Sequence, residues 1–169
     1  MATDASALLS ILVNSYTGSL ISVSNTVGIA VEFLKSEISP GINAPGSKVA
    51  ALIGIVGSKM HSTASLMADM QAFEAYVSAF TGGMIKADTD DPMAMSVLGE
   101  FTNMISGQAL IKANISGLDI TPPQMLSGEN IKAIPPHKGD VKSFTLPFKI
   151  KANGGKVFLI LSVHGNQRS

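Results

Sequence analysis

No cysteine occurs among the 169 residues. Disulfides, thiolate nucleophiles and cysteine-based zinc sites are thereby excluded, and the absence fits a reducing cytoplasm, where the protein is expected. Charge is scarce as well: 14% of residues are Asp, Glu, Lys or Arg, against about 25% in a typical domain. The twelve basic and twelve acidic residues cancel. With no basic surplus there is no footprint for nucleic acid, and no acidic tail points to a charged partner. A surface so poor in charge is finished with Ser, Thr, Asn, Gly and some apolar groups, which suits a sizeable subunit contact. Residues 5–31, ASALLSILVNSYTGSLISVSNTVGIAV, carry no charge at all. The run has the length of a membrane span, but polar and small residues from Asn14 to Thr26 interrupt it. No basic segment precedes it, so a signal peptide is not expected. Leu9, Leu12, Tyr16, Leu20, Val23 and Val27 recur at helical spacing. That predicts a soluble amphipathic helix with its polar residues on the outer side, and no membrane insertion.

Several chemistries are missing too. GIVGSKMHST resembles a phosphate loop only superficially, because Gly57 is followed by Ser58 and the spacing of G-x-x-x-x-G-K-[ST] is not met. A hairpin turn is the better reading. His61, His137 and His164 lie far apart in the chain, none with a His, Asp or Glu three or four residues on, so no metal pair is expected. No G-x-S-x-G elbow is present.

What the chain does have is a 46% hydrophobic composition, enough for one domain spanning 1–169 with a real core. Asp4 is a candidate N-cap for a first helix running to about residue 24. Residues 27–39 alternate like a strand, PGINAPGS breaks the pattern, and KVAALIGIVG and MHSTASLMA read as paired strands. Asp69 caps a helix, MQAFEAYVSAF, that stops at Gly82-Gly83. Asp91 then Pro92 mark the start of a third helix from 92 to about 113, Pro92 standing where a missing N–H costs nothing. Pro122-Pro123 should end regular structure, ENIKAI reads as a short strand, and VKSFTLPFKI and KVFLILSV flank ANGG as a hairpin. Pro147 inside the first of these marks an edge or a bulge. The expected class is α+β, with a largely antiparallel sheet of about six strands packed with three helices.

The third helix holds the one unusual constellation. On a wheel, Ala94, Val97, Leu98, Phe101, Met104 and Ile105 gather into a core face, and Met93, Met95 and Met104 read as gap-filling residues. Glu100 and Asn103, three residues apart and therefore neighbours, fall on another stripe with Ser96 and Gly107, and Gly99 lies nearby. A glycine inside a helix costs about 1 kcal/mol relative to Ala. Two of them around a Glu/Asn pair imply that something approaches this helix closely.

The run GEFTNMISGQA resembles the signature helix of the CheX/CheC/FliY family of chemotaxis phosphatases, whose pattern is E-x-x-N with a glycine four residues beyond the Asn. Glu100, Asn103 and Gly107 match it. LDITPPQMLSG, 118–128, resembles the loop that follows this helix in CheX, and the order of elements agrees over about residues 5–165. One signature helix rather than two favours the CheX branch; in the first half Glu32 has Lys35 three residues on. The resemblance implies removal of the phosphoryl group from the aspartyl phosphate of a CheY-like response regulator by a homodimer that shares its sheet. It implies no cofactor of its own, the Mg²⁺ belonging to the receiver domain. By the same resemblance Asn103 and Glu100 are the catalytic pair, Asn103 positioning the attacking water and Glu100 anchoring the partner, with Ser96, Gly99 and Gly107 as partner-contact positions. Three other readings compete: a non-catalytic module that binds a phosphorylated receiver, a structural role related to the flagellar switch, and service to a regulator outside chemotaxis.

Overall fold

The computed structural model describes residues 5–57, 60–129, 131 and 141–164. Three helices pack on one face of an eight-stranded sheet in which every pairing is antiparallel. In chain order the elements are α1 (Ala5–Thr26), β1 (Val31–Phe33), β2 (Ser39–Pro40), β3 (Val49–Gly57), β4 (Met60–Ala68), α2 (Met70–Thr81), α3 (Pro92–Ala113), β5 (Leu118–Ile120), β6 (Gln124–Ser127), β7 (Val141–Ile150) and β8 (Lys156–His164). Across the sheet the order is β1, β7, β8, β4, β3, β5. The short β2 lies beside β1 on the outer edge of β7, and β6 lies beside β5 on the outer edge of β3.

Alternation along the strands decides which side is core, since successive side chains point to opposite faces. Val49, Ala51 and Ile55 of β3, Leu66 of β4, Leu146 and Phe148 of β7 and Leu159 and Leu161 of β8 share one cluster with the buried sides of all three helices. Ala50, Met67, Phe158 and Ile160 form a small second cluster on the other face, under Ile42, Ala44 and Ile131.

The hairpin expected at ANGG is present. Ile150 N–H donates to Gly155 at 2.8 Å and Gly154 takes a φ of 75°. Helix α2 begins at its Asp69 cap, whose carboxylate accepts from Ala72 N–H at 2.9 Å, and ends at left-handed Gly82. The predicted Asp4 cap lies outside the described residues, as does most of the short strand expected over 129–134.

Three expectations are corrected. The strand read over 27–39 is only Val31–Phe33, followed by a 3₁₀ turn at Lys35–Glu37. The cause is Pro147. Its carbonyl accepts from Leu34 N–H at 2.9 Å, and the N and C=O of a strand residue point the same way, so its missing N–H also faces Leu34. The ladder stops there and resumes at Ser39↔Thr145. Pro147 thus sits in the gap between two short flanking strands, with β8 undisturbed on its other side.

The second correction concerns Pro122-Pro123, which interrupt pairing without ending it. β5 pairs Ile120 with Ile55 and β6 pairs Gln124 with Leu52. Thr121, Pro122 and Pro123 therefore oppose only Ile53 and Gly54, a one-residue bulge in a single edge strand, where prolines are tolerated.

The third is in α1. Its serines were expected outside, yet Ser15, Ser19 and Ser24 are buried. Small hydroxyl residues let neighbouring helices come close, and the Ser24 hydroxyl meets the Tyr76 hydroxyl at 2.7 Å. By length and composition Ser6–Thr26 could cross a membrane; here its apolar side, Leu8, Leu9, Leu12, Tyr16, Leu20 and Val23, fills the core.

Candidate functional site

Helix α3 carries the candidate residues, and its ends are firmly set. The Asp91 carboxylate accepts from Met93 N–H at 2.9 Å, Pro92 occupies the first turn, and Asn114 closes the helix in the left-handed conformation, φ 52°. Asn tolerates that geometry better than most residues.

The rotation of α3 about its axis is fixed by aromatic packing. Phe101 is fully buried, with its ring stacked on Tyr76 at 4.2 Å and met edge-on by Phe80 at 5.7 Å, both from α2. Such pairs add about 0.5–1.5 kcal/mol beyond the area they bury. On the other side the buried Ser106 faces α1, close to the Tyr16 hydroxyl. With Phe101 turned inward, Glu100 is forced outward.

Glu100 is exposed and Asn103 is half-buried. Among the described residues neither side chain has a hydrogen-bond or ion-pair partner. Ser96 is exposed on the same stripe and its hydroxyl donates to Met93 C=O at 2.7 Å. Gly107 is half-buried, and a Cβ built there would find nothing within 4 Å. The face of α3 at Gly107, one turn beyond Asn103, is therefore open.

Gly99 is different. It is buried, and a Cβ there would lie 2.8 Å from Met125 Sδ and 3.3 Å from the Pro123 ring. The close approach that Gly99 permits is made by the chain's own edge strand. That strand is held by Thr121, whose N–H donates to Gly54 C=O at 2.9 Å while its hydroxyl accepts from Gly54 N–H at 2.8 Å. The TPPQM segment thus forms one bank of the stripe on the Asn103 side.

Two methionines stand corrected. Met95 is buried as expected, but Met104, assigned to the core face, is 39% exposed and Met93 is 63% exposed. Both lie on the outward stripe, and Ile111, 80% exposed, continues it. Sequence reading missed this bank, although the i+4 step from Glu100 to Met104 was the signal that could have found it.

Folding also brings together two histidines that are distant in sequence. His61 of β4 and His164 of β8 are direct cross-strand partners, while His137 lies outside the described residues. Among the described residues no group of three or more His, Asp or Glu converges as a metal site. An open groove of about 1020 Å³ runs between α1 and the start of β7, lined by Leu9, Val13, Ile38, Ile42 and Phe144 among others, and neither Glu100 nor Asn103 lines it.

What can the stripe do chemically? A carboxamide accepts and donates hydrogen bonds but has no proton to take up or lose near neutrality. It can hold a water molecule in place. A carboxylate one turn away can engage a cation. Both side chains stand on a helix clamped at each end, which is the rigidity that positioning demands.

Comparison with known proteins follows the same lines. The family model for chemotaxis phosphatase CheX matches residues 49–149, more than half of the chain and inclusive of α3. Among solved structures the chain is similar to chemotaxis protein CheX from Vibrio vulnificus, with 20% identity and a TM-score of 0.70 over 90% of this chain and 99% of that one. A CheC-like superfamily protein from Shewanella sp. PV-4 is 22% identical, with a TM-score of 0.74 over 92% and 98%. The CheX of a CheX–CheY–BeF3–Mg²⁺ complex from Borrelia burgdorferi is 18% identical, with a TM-score of 0.67 over 90% and 97%. At these identities the likeness is one of fold. Among curated proteins none matches significantly.

Proposed function

The chain belongs to the CheX family of chemotaxis phosphatases, and on that premise we propose that it hydrolyses the aspartyl phosphate of a CheY-like receiver domain. The observation that carries the proposal is the pairing of Glu100 and Asn103, outward and unpartnered among the described residues, on a helix whose rotation is locked by Phe101. The CheX–CheY complex from Borrelia burgdorferi supports a receiver domain as the partner class.

In this reading α3 docks over the receiver's phosphorylated aspartate. The Asn103 carboxamide enters the site and holds a water in line with the phosphorus, as a glutamine orients water in GTP hydrolysis. Its contribution is positional, because a carboxamide is no general base. The Glu100 carboxylate pairs with a cationic side chain beside the phosphoryl group and fixes where Asn103 lands. The Mg²⁺ that neutralises the phosphoryl oxygens arrives with the receiver. Ser96 and Gly107 keep the ridge low enough for contact, while Gly99 acts at one remove by seating Pro123 and Met125. A cytoplasmic homodimer that shares its sheet completes the proposal, and light scattering on the purified chain tests the dimer.

The decisive experiment follows phosphate release from a phosphorylated CheY-type receiver. Asn103→Ala should abolish the acceleration while leaving the circular dichroism and melting temperature unchanged, and an unchanged rate would refute the catalytic assignment. Glu100→Ala should chiefly raise KM. If wild type binds the receiver but gives no turnover, the protein is a binding module.

A further inference from the structure

We propose that Met93, Met104 and Ile111 form an apolar bank that seats the receiver domain and sets affinity for it, separately from the chemistry at Asn103. The inference rests on the phosphatase reading above and names how the same helix holds its partner.

Three large apolar side chains on one outward stripe of a single helix are the starting observation. Met93 is 63%, Met104 39% and Ile111 80% exposed, although α3 has a fully formed buried side of its own. They stand at i, i+11 and i+18, spacings that return to one side of a helix, and Glu100 and Gly107 at i+7 and i+14 lie between them. At 1.5 Å per residue the bank is about 27 Å long. An interface of ordinary size, about 800 Å² per partner, is roughly 32 Å across. The bank therefore spans a single docking footprint centred on the Glu100–Asn103 pair. Met125, 38% exposed and lodged against Gly99, supplies an apolar contact on the opposite side of the stripe.

Charge selects the occupant. Glu100 is the only acidic residue of α3, and Lys112, the only basic one, extends its amine toward Gly18 of α1. The stripe thus offers an anion within an apolar surround and no cation. A second copy docked here about a twofold axis would bring two Glu100 carboxylates within about a turn of each other without compensation, which is unfavourable in a contact that excludes water. The surface fits a partner that presents a cation flanked by apolar side chains, which is what Glu100 requires of the receiver. Methionine suits the task because its unbranched, polarizable chain adapts to the partner's contour.

The test separates binding from turnover. The rate of dephosphorylation would be measured against concentration of a CheY-type receiver phosphorylated with phosphoramidate. The proteins compared are wild type, Met93→Gln with Met104→Gln, Met104→Leu, and Met84→Gln. Met84 is 89% exposed but lies between α2 and α3, off the stripe. The double variant should raise KM on the order of tenfold, as loss of buried apolar anchors does, with kcat within about twofold of wild type. Met104→Leu should retain the wild-type KM, and so should the off-stripe control. An unchanged KM, or a fall in kcat alone, would overturn the inference; so would loss of a dimer in light scattering, since the bank would then be a contact between copies. If Asn103→Ala leaves the rate untouched, the phosphatase reading fails. The bank is then judged by calorimetric titration with BeF3-activated receiver: binding lost in the double variant upholds it, and binding retained refutes it.

Discussion

Gly107→Ala should make the protein more stable and less active at once. The site is interior to α3, where glycine is less favourable than alanine by about 0.8–1 kcal/mol. Substitution usually forfeits part of that gain to crowding, but here a Cβ would meet no atom within 4 Å. The full helical gain should therefore appear, and in a domain of this size about 1 kcal/mol raises Tm by roughly 2–4 °C. Function should move the other way. Gly107 is one turn beyond Asn103 on the same stripe, so a methyl there should hold a partner docked as proposed off the ridge. A displacement of about 1 Å at a reacting centre can cost around a hundredfold in rate. Differential scanning calorimetry and phosphate release on the same preparation give both readouts. Higher Tm with full activity would refute the close approach of a partner at Gly107. Lower Tm would refute the open space itself.

Three further expectations concern the framework. Gly155→Ala should destabilise by about 1–3 kcal/mol, the usual range for overpacking. Its Cβ would lie 2.6 Å from the backbone N of Ala72, which cannot move aside as a side chain could; an unchanged Tm would show that the hairpin and α2 are not in contact. Asp69→Ala should cost near the upper end of the 0.5–2 kcal/mol range for a lost cap, because the same carboxylate also accepts from Lys156 N–H at 3.0 Å; urea titration measures it, and a loss below a few tenths would contradict the double role. Both tyrosines of the chain, Tyr16 and Tyr76, have phenol pKa values pushed above the usual value near 10, chiefly by burial, with Ser106 and Ser24 partly offsetting it. A pKa higher in the folded state than in the unfolded one stabilises fully below about pH 10, and that stability is lost as pH rises beyond it. Tyrosinate absorbance should stay silent in alkali until the protein unfolds, whereas titration near pH 10 in the folded state would mean that the rings are accessible.

Where local chemistry decides an element, the sequence was legible. Asp91-Pro92 sets the start of α3, Gly82 the end of α2 and ANGG the β7–β8 hairpin, each through contacts within a few residues. The misreadings fall where a distant residue decides. β1 ends at Phe33 because Pro147, far downstream, presents no N–H to the next residue. The TPPQM segment is an edge strand because β3, far upstream, offers it a free side and Gly54 leaves room for Thr121. Alternation and turn residues carry no record of such pairings.

The site shows the same division within one helix. Apolar residues occur almost all the way round α3, so a wheel alone leaves its rotation loosely set. Two neighbours remove the freedom. Glu100 cannot be buried without a partner except at a cost of several kcal/mol, and Phe101, adjacent to it, gains the most from the aromatic pocket of Tyr76 and Phe80. A methionine is worth about 1.5–3 kcal/mol on full burial, so Met104 cannot overrule them. One turn from Glu100, it is carried outward with the carboxylate. The exposed apolar residues beside the Glu100–Asn103 pair are therefore a consequence of spacing: a large apolar residue placed four positions after Glu100 is presented on the same side of the helix.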